Sequence, residues 1–199
     1  MIKKLILFII AYIIIYSDVF SNENRTRIIK YLEKFASLQS NFIQVNNNGD
    51  ILSGKLFISR PGKFRIEYNQ IPLLLISDSK RLALINKDLK SISFHNFDQI
   101  PVNVLLFKKL SLKDIKILNL SENENTLSVN VVNPKFQEKG FVEILFEKRP
   151  FVMKKWTIFK TDKTKTEVFF DNLFIDKKIP KKLFDIEYED PRNIPFEIY

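Results

Sequence analysis

The sequence predicts a mainly β fold, in which short antiparallel strands form one curled sheet accompanied by two helical segments. Three observations lead to this prediction. Apolar and polar residues alternate in many short stretches, tight turns such as NNGD, RPGK and DSK separate those stretches, and two segments carry helical signals instead. We count about ten or eleven strands, and a sheet of that size has to curl around something to cover its apolar face.

One helix is predicted before the strands. In NRTRIIKYLEKFASL, apolar residues recur at helical spacing and form a single stripe, with lysine and arginine on the opposite side. The stripe contains Ile28, Ile29, Leu32, Phe35 and Leu38. After this segment the period changes to two residues, which places the helix at the start of the fold.

The strand patterns follow in two blocks. The first block contains SNFIQVN, ILSGKLFIS, KFRIEYN, LLLIS, LALIN and SISFHN, and the second contains IKILNLS, NTLSVNVVN, FVEILFEK, VMKKWTIFKT and TEVFFDNLFI. A charged turn, DKKIPKK, then leads to a further strand-like segment, LFDIEYE, and a polar tail. Short connections between neighbouring patterns indicate an antiparallel meander.

A short helical insert separates the two blocks. In DQIPVNVLLFKKLSL, Asp98 can cap a helix and Pro101 suits its first turn. Val102, Leu105 and Leu106 then form a small apolar face. Because no repeat, low-complexity block or linker interrupts the pattern, we expect one domain.

The composition excludes several classes of site. The 199 residues include 19 Phe, 4 Gly and no Cys. Few glycines argue against a phosphate-binding loop or a dinucleotide fingerprint, and without cysteine there is no thiol nucleophile, disulfide or thiolate metal ligand. The many phenylalanines predict an aromatic core or, in part, the lining of an apolar ligand site.

The first residues predict a cleaved secretory signal peptide. A short basic region precedes the apolar run Leu5–Ile15, which is too short to span a bilayer comfortably. Val19 and Ser21 occupy positions suited to a signal peptidase. We therefore expect residues 1–21 to be removed and residues 22–199 to form a single exported domain. Retention of the segment as an anchor is the alternative.

The net charge of +9 at pH 7 indicates a basic surface. Such a surface can meet nucleic acid, anionic lipid head groups or an acidic protein, and export argues against nucleic acid. Since the excess is mostly lysine spread along the chain, a compositional origin remains open.

No catalytic constellation is visible. His95 is the only histidine, so a two-histidine metal site is excluded, and no G-x-S-x-G motif occurs. The acidic residues Glu187, Glu189 and Asp190 predict a solvated turn. We therefore expect no enzyme activity, no cofactor and no metal.

One charge stands out in the stretch GKLFISRPGKFRIEY. Its apolar phase comprises Leu56 and Ile58 on the first arm and Phe64, Ile66 and Tyr68 on the second. The next residue in the phase of the first arm is Arg60. A charge on an apolar face is costly unless it is paired or close to water, so Arg60 is a candidate functional residue.

This stretch resembles the periplasmic lipoprotein carrier family, LolA. The residues that carry the resemblance are Phe42, Gly54, the Arg60-Pro61 pair, Phe64, Tyr68, Pro72 and the SDSK turn. In addition, DQIPVNVLLF falls where the family has a proline-led helical segment, and LFDIE resembles its closing strand. The similarity covers Ile28 to Ile186, nearly all of the chain after the signal.

The resemblance implies a fold and a function. The fold is an incomplete, open antiparallel β-barrel of about eleven strands, covered by helices and enclosing a hydrophobic cavity. The function is that of a monomeric periplasmic carrier, which accepts acylated lipoproteins from an inner-membrane ABC transporter and delivers them to the outer membrane. Whether a separate outer-membrane acceptor exists stays open.

The resemblance also implies roles for individual residues. Arg60 corresponds to an arginine that helps to hold a helical lid closed by hydrogen bonding. The expected acyl-chain-binding residues are Phe42, Leu56, Ile58, Phe64, Ile66, Tyr68, Leu105 and Leu106.

Some positions depart from the family pattern. The turn commonly written Asp-Gly-Lys is Asp78-Ser79-Lys80 here, Leu82, Leu84 and Ile85 replace aromatic residues, and Ile66 stands where tryptophan is frequent. These departures bear on cavity shape and cargo preference.

A lipid-binding sensor of the same fold is the alternative function.

Overall fold

The computed structural model describes residues 22–96, Leu106 and residues 115–193. The predicted signal peptide, the predicted helical insert apart from Leu106, and the end of the polar tail lie outside the described residues. The chain divides into two units, of which the second begins at Phe35, and each is described by itself.

Helix α1 occupies residues 22–34. Its first described residue is Asn22, whose carbonyl oxygen accepts a hydrogen bond from the Thr26 hydroxyl at 2.9 Å. Ile28 and Leu32 of its apolar stripe are buried. The predicted helix is correct here but extends too far. Leu38 lies in the first strand, where it pairs with Ile58, so its place on the helical stripe was a coincidence of spacing.

Eleven strands form one sheet in the second unit. They are β1 Ser37–Val45, β2 Ile51–Ser59, β3 Lys63–Tyr68, β4 Leu73–Asp78, β5 Leu82–Asn86, β6 Ser91–His95, β7 Lys116–Glu122, β8 Thr126–Val132, β9 Phe141–Lys148, β10 Phe151–Phe159 and β11 Lys165–Ile175. All neighbours are antiparallel, which confirms the predicted meander.

The sheet is open, and the strands that come first and last along the chain, β1 and β11, lie side by side in its middle. The spatial order is β6-β5-β4-β3-β2-β1-β11-β10-β9-β8-β7, so β1 lies between β2 and β11. The two outer strands, β6 and β7, are not paired with each other. The structure therefore confirms the predicted open antiparallel architecture, built from two meanders joined through β1 and β11.

One glycine permits close packing beside β1. Gly54 of β2 lies opposite Phe42 of β1 and Tyr68 of β3. A Cβ atom at Gly54 would lie 1.9 Å from the carbonyl oxygen of Glu67 and 2.9 Å from the Phe42 ring. No other residue fits this position, which accounts for Gly54 among the residues that carry the family resemblance.

The C-terminal segment corrects one strand prediction. LFDIEYE, residues 183–189, does not form a strand. Its first two residues end a 3-10 helix at Lys181–Phe184, and its last four form a short helix, α2, at Ile186–Glu189. Asp185 caps α2 by accepting a hydrogen bond from the Tyr188 amide at 3.2 Å. Ile186 packs against a buried cluster of Leu74, Ile76, Ala83 and Ile85 from β4 and β5. The apolar residues of this segment thus cover a sheet face instead of extending the sheet.

A buried arginine holds this segment to β3. Arg65 is only 4% exposed, and its Nη1 donates to the Leu183 carbonyl oxygen at 3.1 Å. The same guanidinium pairs with Glu189 at 2.9 Å and with Glu67 at 2.5 Å. Arg65 faces away from the apolar phase of β3, as the alternation predicts, yet it is enclosed by the C-terminal segment and not by solvent.

Candidate ligand cavity

Six adjacent strands of the sheet enclose an apolar cavity of about 210 Å³. Its lining comes from β1, β2, β3, β4, β10 and β11 and from the residue after β10. The lining residues are Phe42, Gln44, Leu56, Phe64, Ile66, Tyr68, Leu75, Trp156, Ile158, Lys160, Thr166 and Val168.

Five of the residues predicted to contact acyl chains line this cavity. They are Phe42, Leu56, Phe64, Ile66 and Tyr68. The registers explain why they converge, because Leu56 lies directly opposite Ile66 and the ring of Phe42 meets that of Tyr68 edge-on, with centroids 5.6 Å apart. The period-two alternation of β2 and β3 therefore places these side chains on the same face.

The other three predicted contact residues have different positions. Ile58 is buried opposite Phe64 and Leu38, nearer to the β2–β3 turn, and is not part of the lining. Leu106 is also buried without lining the cavity. Leu105 lies outside the described residues.

The sequence analysis missed the opposite wall. Trp156 and Ile158 of β10 and Val168 of β11 line the cavity, and Val168 pairs with both Trp156 and Gln44. Their alternation within VMKKWTIFK and TEVFF was the available signal. It could not reveal that β11 pairs with β1, which brings this wall opposite β3.

Trp156 carries a polar group into this apolar setting. Its side chain is 4% exposed, and its ring meets the Phe170 ring edge-on, with centroids 4.7 Å apart. Nε1 is buried and has no hydrogen-bond partner among the described residues.

Polar side chains gather at one edge of the cavity. Gln44 near the end of β1, Tyr68 at the end of β3, Lys160 after β10 and Thr166 near the start of β11 all lie at the same edge of the sheet. The Tyr68 hydroxyl donates to Gln44 Oε1 at 3.0 Å. Burial raises the pKa of the Tyr68 phenol, and this hydrogen bond only partly offsets the effect.

Arg60 lies at the opposite edge of the sheet and does not line the cavity. Its Nη1 donates to the Phe35 carbonyl oxygen at 3.1 Å, its guanidinium lies 3.7 Å from the centroid of the Phe35 ring, and its backbone amide donates to the Ala36 carbonyl oxygen at 2.9 Å. Burial lowers the pKa of Arg60 to about 10, and the nearby negative charge of Asp176, which acts to raise the pKa, offsets only part of this effect. Arg60 thus holds the two residues that connect α1 with β1.

The turn that carries Arg60 has a second attachment. The Gly62 amide donates to the Leu106 carbonyl oxygen at 2.9 Å. The Gly62 carbonyl oxygen accepts a hydrogen bond from the buried Ser77 hydroxyl, also at 2.9 Å. One turn therefore contacts both the Phe35–Ala36 connection and the backbone of Leu106.

Two further findings concern the residues that the structure describes. Among residues 22–96, 106 and 115–193, no group of three or more His, Cys, Asp or Glu side chains could hold a metal ion. In the same part of the chain, no helix combines the length and the apolar character needed to cross a bilayer.

The protein belongs to the structural class in which one open antiparallel sheet surrounds an apolar cavity. Within that class, residues 33–187 match the family described as "Outer membrane lipoprotein carrier protein LolA". This match spans most of the chain, and the chain belongs to that family, which confirms the resemblance seen in the sequence.

The chain is also similar to individual proteins. An uncharacterized protein of Rickettsia prowazekii is 26% identical over 86% of each chain. An outer-membrane lipoprotein carrier protein of Nitrosomonas europaea is 27% identical over 56% of this chain and 58% of its own length. A crystal structure of a putative outer membrane lipoprotein-sorting protein domain from Vibrio parahaemolyticus has the same fold, with a TM-score of 0.54 at 8% identity, covering 82% of this chain and 95% of that domain.

Proposed function

We propose that the protein is a periplasmic carrier that binds the acyl chains of lipoproteins released from the inner membrane and delivers them to the outer membrane. The observation that carries this proposal is the apolar cavity, whose lining includes five of the residues expected to contact acyl chains. Membership of the family supports the same function.

The energetics of acyl chains make such a cavity useful. Each methylene group withdrawn from water contributes about 0.8 kcal/mol, so one long chain contributes on the order of 10 kcal/mol. A lipoprotein with several chains therefore cannot cross an aqueous space without a partner that covers them.

The size of the cavity indicates how loading proceeds. Its volume of about 210 Å³ is below the range of about 300–1,000 Å³ that is usual for ligand pockets. The enclosed space suits one chain, so a lipoprotein with several chains requires parts of the protein to move apart. A binding-competent open state and a closed state follow from this requirement.

Arg60 is suited to control that opening. Its guanidinium and its backbone amide hold the Phe35–Ala36 connection at two consecutive carbonyl oxygens. The planar guanidinium stacks on the Phe35 ring while it donates, which an ammonium group cannot do. We assign Arg60 the role of a latch whose loss favours the open state.

The proposed function includes a location and partners. Residues 1–21 serve as a cleaved signal peptide for export to the periplasm. An inner-membrane ABC transporter supplies the lipoprotein and the energy, and the carrier itself needs neither cofactor nor catalytic group. Delivery to the outer membrane proceeds with or without a separate acceptor.

Co-purification of lipoprotein tests the proposal. The protein is co-expressed with a tagged acylated lipoprotein and recovered from the soluble periplasmic fraction without detergent. We expect a one-to-one complex. The variant Ile66→Asp, which places a charge in the cavity, should lose the cargo, whereas Ile51→Asp, at a residue that is 65% exposed, should retain it.

Two outcomes contradict the carrier function. One is recovery of the lipoprotein only with membranes. The other is equal cargo recovery with both aspartate variants while circular dichroism shows that both are folded. Recovery of free lipid without any lipoprotein would favour the sensor alternative.

A further inference from the structure

A single charge marks the polar edge of the cavity. Among the described residues that line the cavity, Lys160 alone is charged. It is exposed and takes no part in the ion pairs found among the described residues. The neighbouring carboxylate of Asp162 is held by the amide and hydroxyl of Thr164, at 2.9 and 2.5 Å. These hydrogen bonds and, to a lesser extent, the charge of Lys160 lower the pKa of Asp162, so the two side chains attract each other without forming an ion pair. Lys160 thus places a cation at the edge of an apolar space.

The surroundings of Lys160 are those of an amphiphile site. Lys160 continues the phase of Trp156 and Ile158, so one row of side chains changes from apolar to cationic along the cavity. Lys160 follows Trp156 by four residues, which corresponds to about 13 Å along an extended chain. Gln44 and Thr166 line the cavity at the same edge of the sheet. The Gln44 amide already bonds Asn46 and Tyr68, so the Thr166 hydroxyl is the additional polar group there.

We propose that the cavity binds single-chain anionic amphiphiles, with the chain along Trp156 and the anionic head group on Lys160. The limited volume favours one chain, and the cation favours a carboxylate or phosphate head over a neutral one. The inference rests on the proposed function only in taking the cavity as a site for acyl chains. It adds a ligand class, free fatty acids or lysophospholipids, that needs no attached protein.

Trp156 supplies a direct measurement of binding, since it is the only tryptophan of the chain and lines the cavity. The purified mature protein is titrated with three ligands of equal chain length: hexadecanoate, 1-hexadecanoyl lysophosphatidate and neutral 1-hexadecanoyl glycerol. Quenching of Trp156 fluorescence by the brominated forms of the same ligands reports whether the chain reaches the cavity. Comparison of the two anionic ligands identifies the preferred head group.

The variant Lys160→Gln tests the role of the cation. We expect about fivefold weaker binding of both anionic ligands, as for an exposed ion pair, and unchanged binding of the neutral one. Lys163→Gln is the matched control, because Lys163 lies in the same exposed turn but does not line the cavity. It should leave all three affinities unchanged.

The inference is overturned if the anionic ligands bind no better than the neutral ligand, or if Lys160→Gln and Lys163→Gln have equal effects. Absence of quenching with every ligand also overturns it. Capture of a lipoprotein in the co-purification experiment is a separate result. A protein that captures lipoprotein but shows no head-group preference would retain the proposed carrier function and lose this inference.

Discussion

Nη1 of Arg65 lies 2.9 Å from a carboxylate oxygen of Glu189, so a buried arginine of β3 joins the sheet to helix α2. The same nitrogen donates to the Leu183 carbonyl oxygen at 3.1 Å. Removal of one partner from a buried ion pair costs more than the pair itself contributes, because the other charge is left without compensation.

Arg65→Met should therefore lower the free energy of unfolding by about 2–4 kcal/mol. The methionine keeps much of the apolar stem but leaves Glu67, Glu189 and the Leu183 carbonyl oxygen without their donor. Urea denaturation measures the change. Arg81→Met is the matched control, because Arg81 also pairs with the C-terminal segment, through Glu187 at 3.0 Å, but is 45% exposed. It should cost under about 1 kcal/mol, and an equal loss for both variants would contradict the importance of burial at Arg65.

Gly54→Ala should destabilise the sheet by more than about 3 kcal/mol. The added methyl group has no space, because the Glu67 carbonyl oxygen would lie 1.9 Å from it and backbone cannot give way cheaply. Gly49→Ala is the control: nothing lies within 4 Å of its Cβ position, and only its φ of 89° opposes the substitution. That variant should lose about 1 kcal/mol in thermal or urea unfolding. Near-equal losses would show that close packing at Gly54 is not the constraint.

The alternation of apolar residues predicted most of the sheet. Phe64, Ile66 and Tyr68 share one phase in KFRIEY, and all three line the cavity. This worked because period-two alternation directly records the two faces of a strand. The departure at Ser79 also left the fold intact: Ser79 has a φ of 83°, in the region that favours glycine, and the neighbouring Asp78 carboxylate accepts hydrogen bonds from the Lys80 and Arg81 amides.

Local sequence patterns do not predict which strands pair when those strands are far apart along the chain. Nothing in the alternation of β10 and β11 indicates that β11 lies beside β1, so Trp156 and Val168 were not assigned to the cavity.

Short apolar patterns also gave wrong predictions where the spacing fits both a strand and a helix. Phe184 and Ile186 alternate as in a strand, yet the cap at Asp185 turns this segment into a helix. Leu38 fits a helical stripe, yet it belongs to β1.

Glu167 should make stability depend on pH below neutrality. Hydrogen bonds from Lys155 at 2.8 Å and Lys165 at 2.9 Å lower the pKa of its carboxyl group. A lowered pKa in the folded state adds stability above the unfolded value of about 4.3, and this stability is lost as the pH falls through the lower folded value. The free-energy difference between the native protein and Glu167→Gln should be about 1 kcal/mol at pH 7 and smaller at pH 3.

Glu147→Gln provides the comparison for this pH effect. Glu147 pairs with Lys154 at 2.9 Å, but both side chains are well exposed, at 39% and 51%. Its substitution should change stability by a few tenths of a kcal/mol at either pH. A difference for Glu167→Gln that stays constant from pH 7 to pH 3 would show that its charge is not the cause.

Arg60→Leu should change cargo release far more than folding. If Arg60 stabilises the closed state through its hydrogen bond and its stacking on Phe35, loss of about 1.5 kcal/mol raises the open fraction about tenfold, provided that the open state is the minor one. Cargo binds the open state, so the apparent affinity rises by a similar factor. In this mechanism closure of the latch drives release, and its loss therefore slows release. Transfer of a bound lipoprotein to phospholipid vesicles measures this rate. The melting temperature should fall by only a few degrees, because a loss of about 1.5 kcal/mol is a small part of the total stability.

The chain contains its own control for this experiment, since Arg149-Pro150 repeats the Arg60-Pro61 dipeptide in the turn between β9 and β10. Arg149 is exposed, so Arg149→Leu removes the same charge from the same dipeptide without touching the Phe35–Ala36 connection. It should leave both release and melting unchanged. Gross unfolding of Arg60→Leu would instead make Arg60 a structural residue. Equal release rates for the two leucine variants would remove the latch from the carrier mechanism while leaving the cavity as its binding site.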